Sequence, residues 1–229
     1  MKISVIFFVL VGALFANDAP YSLVKFRLAL NLCKLQAPFS HYDARWGAKY
    51  GKFKNFSNKY FFLTDGKYMT FFMCQEKKEK KRSELRFKNV WKTSTKEPKI
   101  LEARLKVLPL SVKNEFTFLQ IHSDKTINLP LLRIVWRKNY KDVKNHIWAV
   151  VRLSPKEKRY EKIDLGDLPK EFFNIKIIVL KSNLTIVTDD KIYKMDVSYW
   201  DNYQNYFKAG VYLQSTRCAK VLFDEFRVY

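Results

Sequence analysis

Residues 206–214 read Tyr206-Phe207-Lys208-Ala209-Gly210-Val211-Tyr212-Leu213-Gln214. Successive side chains of a β-strand point to opposite faces, so this stretch divides by parity. Phe207, Ala209, Val211 and Leu213 make an apolar face suited to a core. Tyr206, Lys208, Gly210, Tyr212 and Gln214 make the other face: two phenols, an ammonium and an amide around a glycine. Glycine in a strand permits close approach to its backbone, and here it is read as clearance for a bulky ligand. A strand dry on one side and chemically loaded on the other suits the floor of a binding groove.

Two earlier stretches share this construction. In Arg82-Ser83-Glu84-Leu85-Arg86, parity puts Arg82, Glu84 and Arg86 on one face and Ser83, Leu85 and Phe87 on the other. Two guanidiniums flanking a carboxylate hold one another in place, and arginine's planar fork suits bidentate capture of a carboxylate. A surface ladder of cross-strand ion pairs would carry the same pattern. In Thr117-Phe118-Leu119-Gln120-Ile121-His122, Leu119 and Ile121 face one way, Gln120 and His122 the other. Histidine exchanges a proton near neutral pH, and an amide can hydrogen-bond a carboxyl or hydroxyl group. His41 and His146 lie in segments without such partners and are read as structural or surface residues.

Around these stretches, short runs rich in aromatic and β-branched residues recur. They fall at 60–63, 68–73, 131–137, 147–153, 175–180, 184–187, 192–197 and 221–229. Turn-like pieces separate them, among them Thr64-Asp65-Gly66, Leu165-Gly166-Asp167 and Thr188-Asp189-Asp190. Long helical periodicities are scarce. Many short strands at this spacing predict an all-β sandwich or barrel. No composition break marks a linker, so residues 17–229 are expected to form one domain. Residues 1–16 carry one lysine, an apolar run and Ala16 before polar Asn17-Asp18, which predicts a secretory signal peptide and export. No later stretch reads as a membrane helix, so no stable membrane insertion is expected.

The chain has 43 Lys and Arg against 22 Asp and Glu, a formal charge of +21. Such an excess draws polyanions to the surface, whether nucleic acid, anionic lipid or acidic polysaccharide. Glu76-Lys77-Lys78-Glu79-Lys80-Lys81 is expected to be a solvated loop between strands. Cys33, Cys74 and Cys218 are far apart with no paired spacing, which gives a metal site little support. One disulfide plus a free thiol, or three buried thiols, fits the count.

Taken together and in this order, the three polar-faced strands resemble those of the alginate lyases of polysaccharide lyase family 7. That family shows an R-(S/T)-E-(L/V)-R strand, a Q-(I/V)-H strand and a late YFKAGVY strand. Here they are Arg82 to Arg86, Gln120 to His122 and Tyr206 to Tyr212. The resemblance runs from about Phe26 to the terminus and is thin between Lys138 and Lys170. The chain departs from the family at Leu213, where asparagine is frequent, and at Phe87, where glutamate is common. The resemblance implies a β-jelly roll of two curved antiparallel sheets with substrate in a concave groove.

It also implies a reaction. Family members cleave uronate polymers by β-elimination: the C5 proton is removed, a C4–C5 double bond forms, and O4 departs with a proton. The C5 proton is barely acidic while the neighbouring carboxylate keeps its charge, so that charge must be neutralised. The resemblance places Arg82, Gln120 and His122 around the carboxylate and makes Tyr212 the general acid. Depending on the sugar epimer, the base is Tyr212 or His122. Lys208 and Arg82 are expected to lower the Tyr212 phenol from its ordinary pKa near ~10.

Glu84, Arg86, Lys208, Gln214 and Tyr206 are read as substrate-binding or supporting groups. No metal and no organic cofactor is required. The implied partner is an anionic polysaccharide, alginate or another polyuronate, and not nucleic acid, with the protein acting as a monomer. Ile121 is similar to family members that accept guluronate-containing blocks. Two other classes share parts of the pattern: a non-catalytic module binding acidic polysaccharide on the same fold, and a secreted nucleic-acid binder driven by charge.

Overall fold

The computed structural model describes residues 19–38, 48–76 and 81–229. The expected signal peptide, His41 and residues 77–80 of the charge run lie outside them. The described strands are β1 (Cys33–Gln36), β2 (Phe61–Thr64), β3 (Tyr68–Gln75), β4 (Arg82–Phe87) and β5 (Lys99–Leu108). They continue with β6 (Glu115–Ser123), β7 (Pro130–Tyr140), β8 (Val143–Arg152), β9 (Tyr160–Asp167) and β10 (Phe173–Leu180). The last four are β11 (Asn183–Thr188), β12 (Ile192–Asp196), β13 (Asn205–Leu213) and β14 (Arg217–Val228). Among the described residues one short α-helix, α1 (Val24–Asn31), precedes them and buries Phe26, Ala29 and Leu30.

The strands form two antiparallel seven-stranded sheets. One has the order β1-β4-β13-β6-β7-β8-β9, the other β12-β11-β10-β5-β14-β3-β2. Parity explains how they pack. On β13, Phe207, Ala209, Val211 and Leu213 are buried in the main core. On β5, so are Leu101, Ala103, Leu105 and Val107, while Glu102, Arg104 and Lys106 alternate with them outside. Phe71 of β3 and Phe223 of β14 meet edge to face at 5.5 Å within this layer.

The first sheet also carries a small apolar cluster separate from the main core. Val135, Trp148 and Val150 are buried there under Tyr140, Val143 and Tyr160. Val135 pairs with Trp148 across β7 and β8, whose opposite parity (Ile134, Ala149) enters the main core. The cluster therefore sits on the sheet's outer face, shared with the polar residues of β4, β6 and β13.

Every hydrophobic run read from the sequence corresponds to a strand. Three strands, β1, β5 and β9, fall outside those runs, and one turn differs. β5 was not anticipated, because Lys99-Ile100-Leu101-Glu102-Ala103-Arg104 is rich in helix formers; its central position between β10 and β14 overrides that preference. Leu165-Gly166-Asp167, expected as a turn, belongs to β9. The β8–β9 register shifts there between Ile147 and Trp148, and Gly166 takes φ +110, so the glycine serves a β-bulge.

Cys74 and Cys218 face each other across β3 and β14 and form a disulfide spanning 144 residues of sequence. Cys33 is a free, buried thiol. Burial pushes it well above the ordinary thiol range. Of the two cysteine states left open, one disulfide with one free thiol is present.

Candidate active site

β13 lies between β4 and β6, and that placement assembles the site. Across β4 it sets Lys208 against Arg86, Gly210 against Glu84 and Tyr212 against Arg82. Across β6 it sets Tyr206 against His122 and Lys208 against Gln120. The three polar faces are thus one surface. Between Ala209 and Tyr212 the β6 pairing shifts register, a bulge on the β13 side.

Gly210 sits in that bulge at φ +139. A Cβ there would lie 2.3 Å from the Ser83 carbonyl oxygen and 2.8 Å from the Glu84 Cα. The glycine therefore clears the backbone of β4, not a sugar, which corrects the sequence-based expectation.

Beneath the surface lies an ion pair. Glu84 is 0% exposed and Lys208 1% exposed. The Lys208 ammonium and the Gln120 amide both donate to the Glu84 carboxylate. Arg82 Nη1 stands farther off, at 3.9 Å. Burial pulls Lys208 down to about 8, opposed by the Glu84 charge. Buried at this depth, Glu84 and Lys208 cannot meet a ligand directly as they stand. They hold Gln120, which is itself only 1% exposed but reaches the cavity wall.

Above this pair a cavity of about 550 Å³ crosses the sheet. Arg82, Gln120, His122, Tyr212 and Gln214 line it. Arg82 lies over the Tyr212 ring, 4.5 Å from guanidinium carbon to centroid, a cation–π contact that fixes both. The Gln214 carbonyl oxygen accepts from the Thr117 hydroxyl at 2.9 Å. Arg86 and Tyr206 are not in this wall. Arg86 lies 4.2 Å over the Tyr206 ring, and Tyr206, 4% exposed, stacks on His122 with centroids 5.6 Å apart. Tyr206 is thus packed behind the imidazole.

The protonation states follow from burial. His122 Nδ1 lies 2.7 Å from the Ser123 carbonyl oxygen. A carbonyl only accepts, so Nδ1 carries the hydrogen and Nε2 is the free acceptor. Burial first, then Lys208, lowers His122 to about 4, so the ring is neutral at pH 7. Burial raises the Tyr212 phenol, and Arg82 opposes the shift without reversing it. The expectation of a lowered phenol is therefore corrected: desolvation outweighs the cation, and Lys208 is engaged with Glu84. Tyr206 is pushed up to about 12 by burial.

The far half of the cavity was missed in the sequence. Arg133 of β7, Arg152 at the end of β8 and Tyr160 at the start of β9 line it with the residues above. They lie in or beside the stretch where the family motifs give out. Val150-Val151-Arg152 offers little parity contrast because Val150 packs in the outer apolar cluster while Val151 enters the core. His146 is held between Asp164 and Asp167, each at 2.8 Å, consistent with a structural role. Among the described residues no three His, Cys, Asp or Glu gather in a way that could hold a metal ion. No described helix is long and apolar enough to cross a membrane.

Two antiparallel sheets, with a cavity lined by three arginines and two tyrosines on one outer face, define a β-jelly-roll protein. A family model described as alginate lyase matches residues 29–229. The chain belongs to that alginate lyase family, and the resemblance to polysaccharide lyase family 7 holds. A curated alginate lyase from Photobacterium sp. (strain ATCC 43367) is 35% identical over 134 residues, which is 47% of each protein. The match thus spans about half the length of that relative. Among solved structures, alginate lyase AlyC3 has a TM-score of 0.84 at 26% identity, covering 93% of this chain and 96% of its own. AlyC3 in complex with dimannuronate gives 0.83 at 26% identity, covering 93% and 95%. A family 7 alginate lyase, A1-II′, in complex with product gives 0.75 at 20% identity, covering 93% and 99%, and shares the fold.

Proposed function

We propose that this chain is a secreted polysaccharide lyase that cleaves alginate or a related polyuronate by β-elimination. Its products would carry a C4–C5 unsaturated uronate at the non-reducing end. The observation carrying the proposal is the convergence of Arg82, Gln120, His122 and Tyr212 on one cavity. The Cys74–Cys218 disulfide supports export, since such bonds persist in oxidising compartments.

In this account the uronate carboxylate lies against Arg82 and the Gln120 amide, which neutralise it and make the C5 proton acidic. Tyr212, protonated at neutral pH, gives its proton to the departing O4. Nε2 of His122 takes the C5 proton when that proton points toward it. For the other epimer Tyr212 must lose its proton first, against the effect of its own burial. The division favours substrates whose C5 proton faces His122, in line with the guluronate leaning of Ile121. Glu84 and Lys208 orient Gln120 from below, Tyr206 holds the imidazole from behind, and Arg86 and Gln214 extend the polar face.

Mixing the chain with polymannuronate, polyguluronate and polyglucuronate should raise ultraviolet absorbance from unsaturated uronate with at least one of them. In Tyr212→Phe the rate should fall by about 100-fold or more, the scale of a lost general acid. Binding with no absorbance rise on any polymer would favour a non-catalytic module on the same fold. Near-full activity of Tyr212→Phe would remove Tyr212 from the mechanism.

A further inference from the structure

The cavity holds three arginines, and their counter-charges differ. Arg82 has Glu84 at 3.9 Å. Arg133 has Glu115 at 3.8 Å, a carboxylate it shares with Arg137 at 2.8 Å. Arg152 makes no ion pair with any described residue, although it is the most buried of the three at 4% exposed. Its guanidinium donates to the Glu157 carbonyl and the Tyr160 hydroxyl and lies 4.8 Å over the Tyr160 ring. Its Nε is buried with no hydrogen-bond partner. A buried charge balanced only by neutral acceptors is costly, and a buried donor left unmade adds to that cost. No described carboxylate balances that charge, and the cavity that Arg152 lines is where an anionic group could reach it.

The sheet geometry says where that anion would come from. Arg152 shares the outward parity of Trp148 and Val150 on β8, two strands beyond β6. Strands are spaced about 4.8 Å apart, so Arg152 stands about 10 Å across the sheet from the Gln120 strand. That is too far to serve the carboxylate held by Arg82 and Gln120, yet it lines the same cavity.

We propose that Arg152, seated on Tyr160, captures the carboxylate of a second uronate, next along the chain from the sugar being cleaved. It is a binding and positioning residue, not a catalytic one, and the proposal rests on the lyase assignment above. Arg152 sets a preference for longer substrates, because only chains that reach it gain the contact.

The test compares Arg152→Gln with the unmodified chain on oligouronates of increasing length, followed by absorbance. The variant's KM should rise about tenfold or more on chains long enough to reach Arg152, the scale of one lost charge-assisted contact. The rise should be clearly smaller on the shortest cleavable chains, with the loss in KM rather than kcat. Arg152→Lys should recover part of the difference by keeping the charge. An equal loss at every length, accompanied by a lower Tm, would mean that Arg152 only braces the 153–159 loop and would overturn the proposal.

If Arg152→Gln does not fold, hydrogen exchange on Tyr212→Phe, which stalls turnover, reads the same contact with Arg152 intact. Amides of residues 153–159 should exchange more slowly with long oligouronates than with short ones; no difference would overturn the proposal. Normal turnover with an unaltered Arg152→Gln KM at all lengths would sink only this inference. Absence of unsaturated product from the unmodified chain would sink the lyase assignment and this inference with it.

Discussion

Glu84 is the residue on which the site's geometry depends most. Parity places it on the polar face of β4, but parity gives a side and not a depth. The structure buries it completely, with Lys208 and Gln120 as donors. Breaking a buried pair from one side leaves the other charge uncompensated, a cost of about 3–5 kcal/mol. Glu84→Gln should therefore lower the unfolding free energy by that order in urea titrations, and an unchanged midpoint would contradict the pairing.

His122 gives a pH dependence with a definite sign. Its folded pKa of about 4 lies below the ordinary 6.5, so between those values the unfolded chain holds a proton that the folded chain does not. The stability conferred by its neutral form is complete above pH 6.5 and is lost as pH falls toward 4. The shift is on the order of 3 kcal/mol. Urea midpoints measured across that window should fall more steeply for the unmodified chain than for His122→Asn. Identical slopes would contradict it.

At the scale of elements, the strands bearing chemistry were the most legible part of the chain. Three alternating stretches, at 82–86, 117–122 and 206–214, became β4, β6 and β13, and their polar faces joined as neighbours in one sheet. Legibility failed for two different reasons. β5 alternates cleanly but is built from helix-forming residues, and β8 is apolar on both faces from Ile147 to Val151, so the Arg152 half of the cavity gave no parity signal.

Gly210 was visible as an anomaly, yet its purpose was not, because the bulge that requires it arises from pairing with β6. Gly210→Ala places a Cβ against β4 backbone at a φ that side chains rarely adopt. It should destabilise the chain by more than about 1 kcal/mol and shift the pairing of Tyr212. A stable variant with normal activity would show that the bulge is dispensable.

For the molecule as a whole, two sheets around a single main core leave one outer face to function. The pairing of Cys74 with Cys218 depended on β3 lying beside β14, a tertiary fact that cysteine spacing does not contain. Replacing both by serine should lower stability by about 2–4 kcal/mol, as expected for loss of a native cross-link over a long loop, with little effect on KM because the disulfide lies in the other sheet. A large KM change would mean that the two sheets are coupled through it. The formal charge of +21 serves the same function from a distance, drawing an anionic chain toward the cavity.

Under the proposed elimination, the cavity breaks a uronate polymer without adding water. A defined oligouronate incubated with the chain and analysed by mass spectrometry tests this most directly. Elimination predicts product pairs whose masses sum to that of the substrate, with the unsaturated sugar at the new non-reducing end. Product pairs heavier by one water would show hydrolysis and contradict the account.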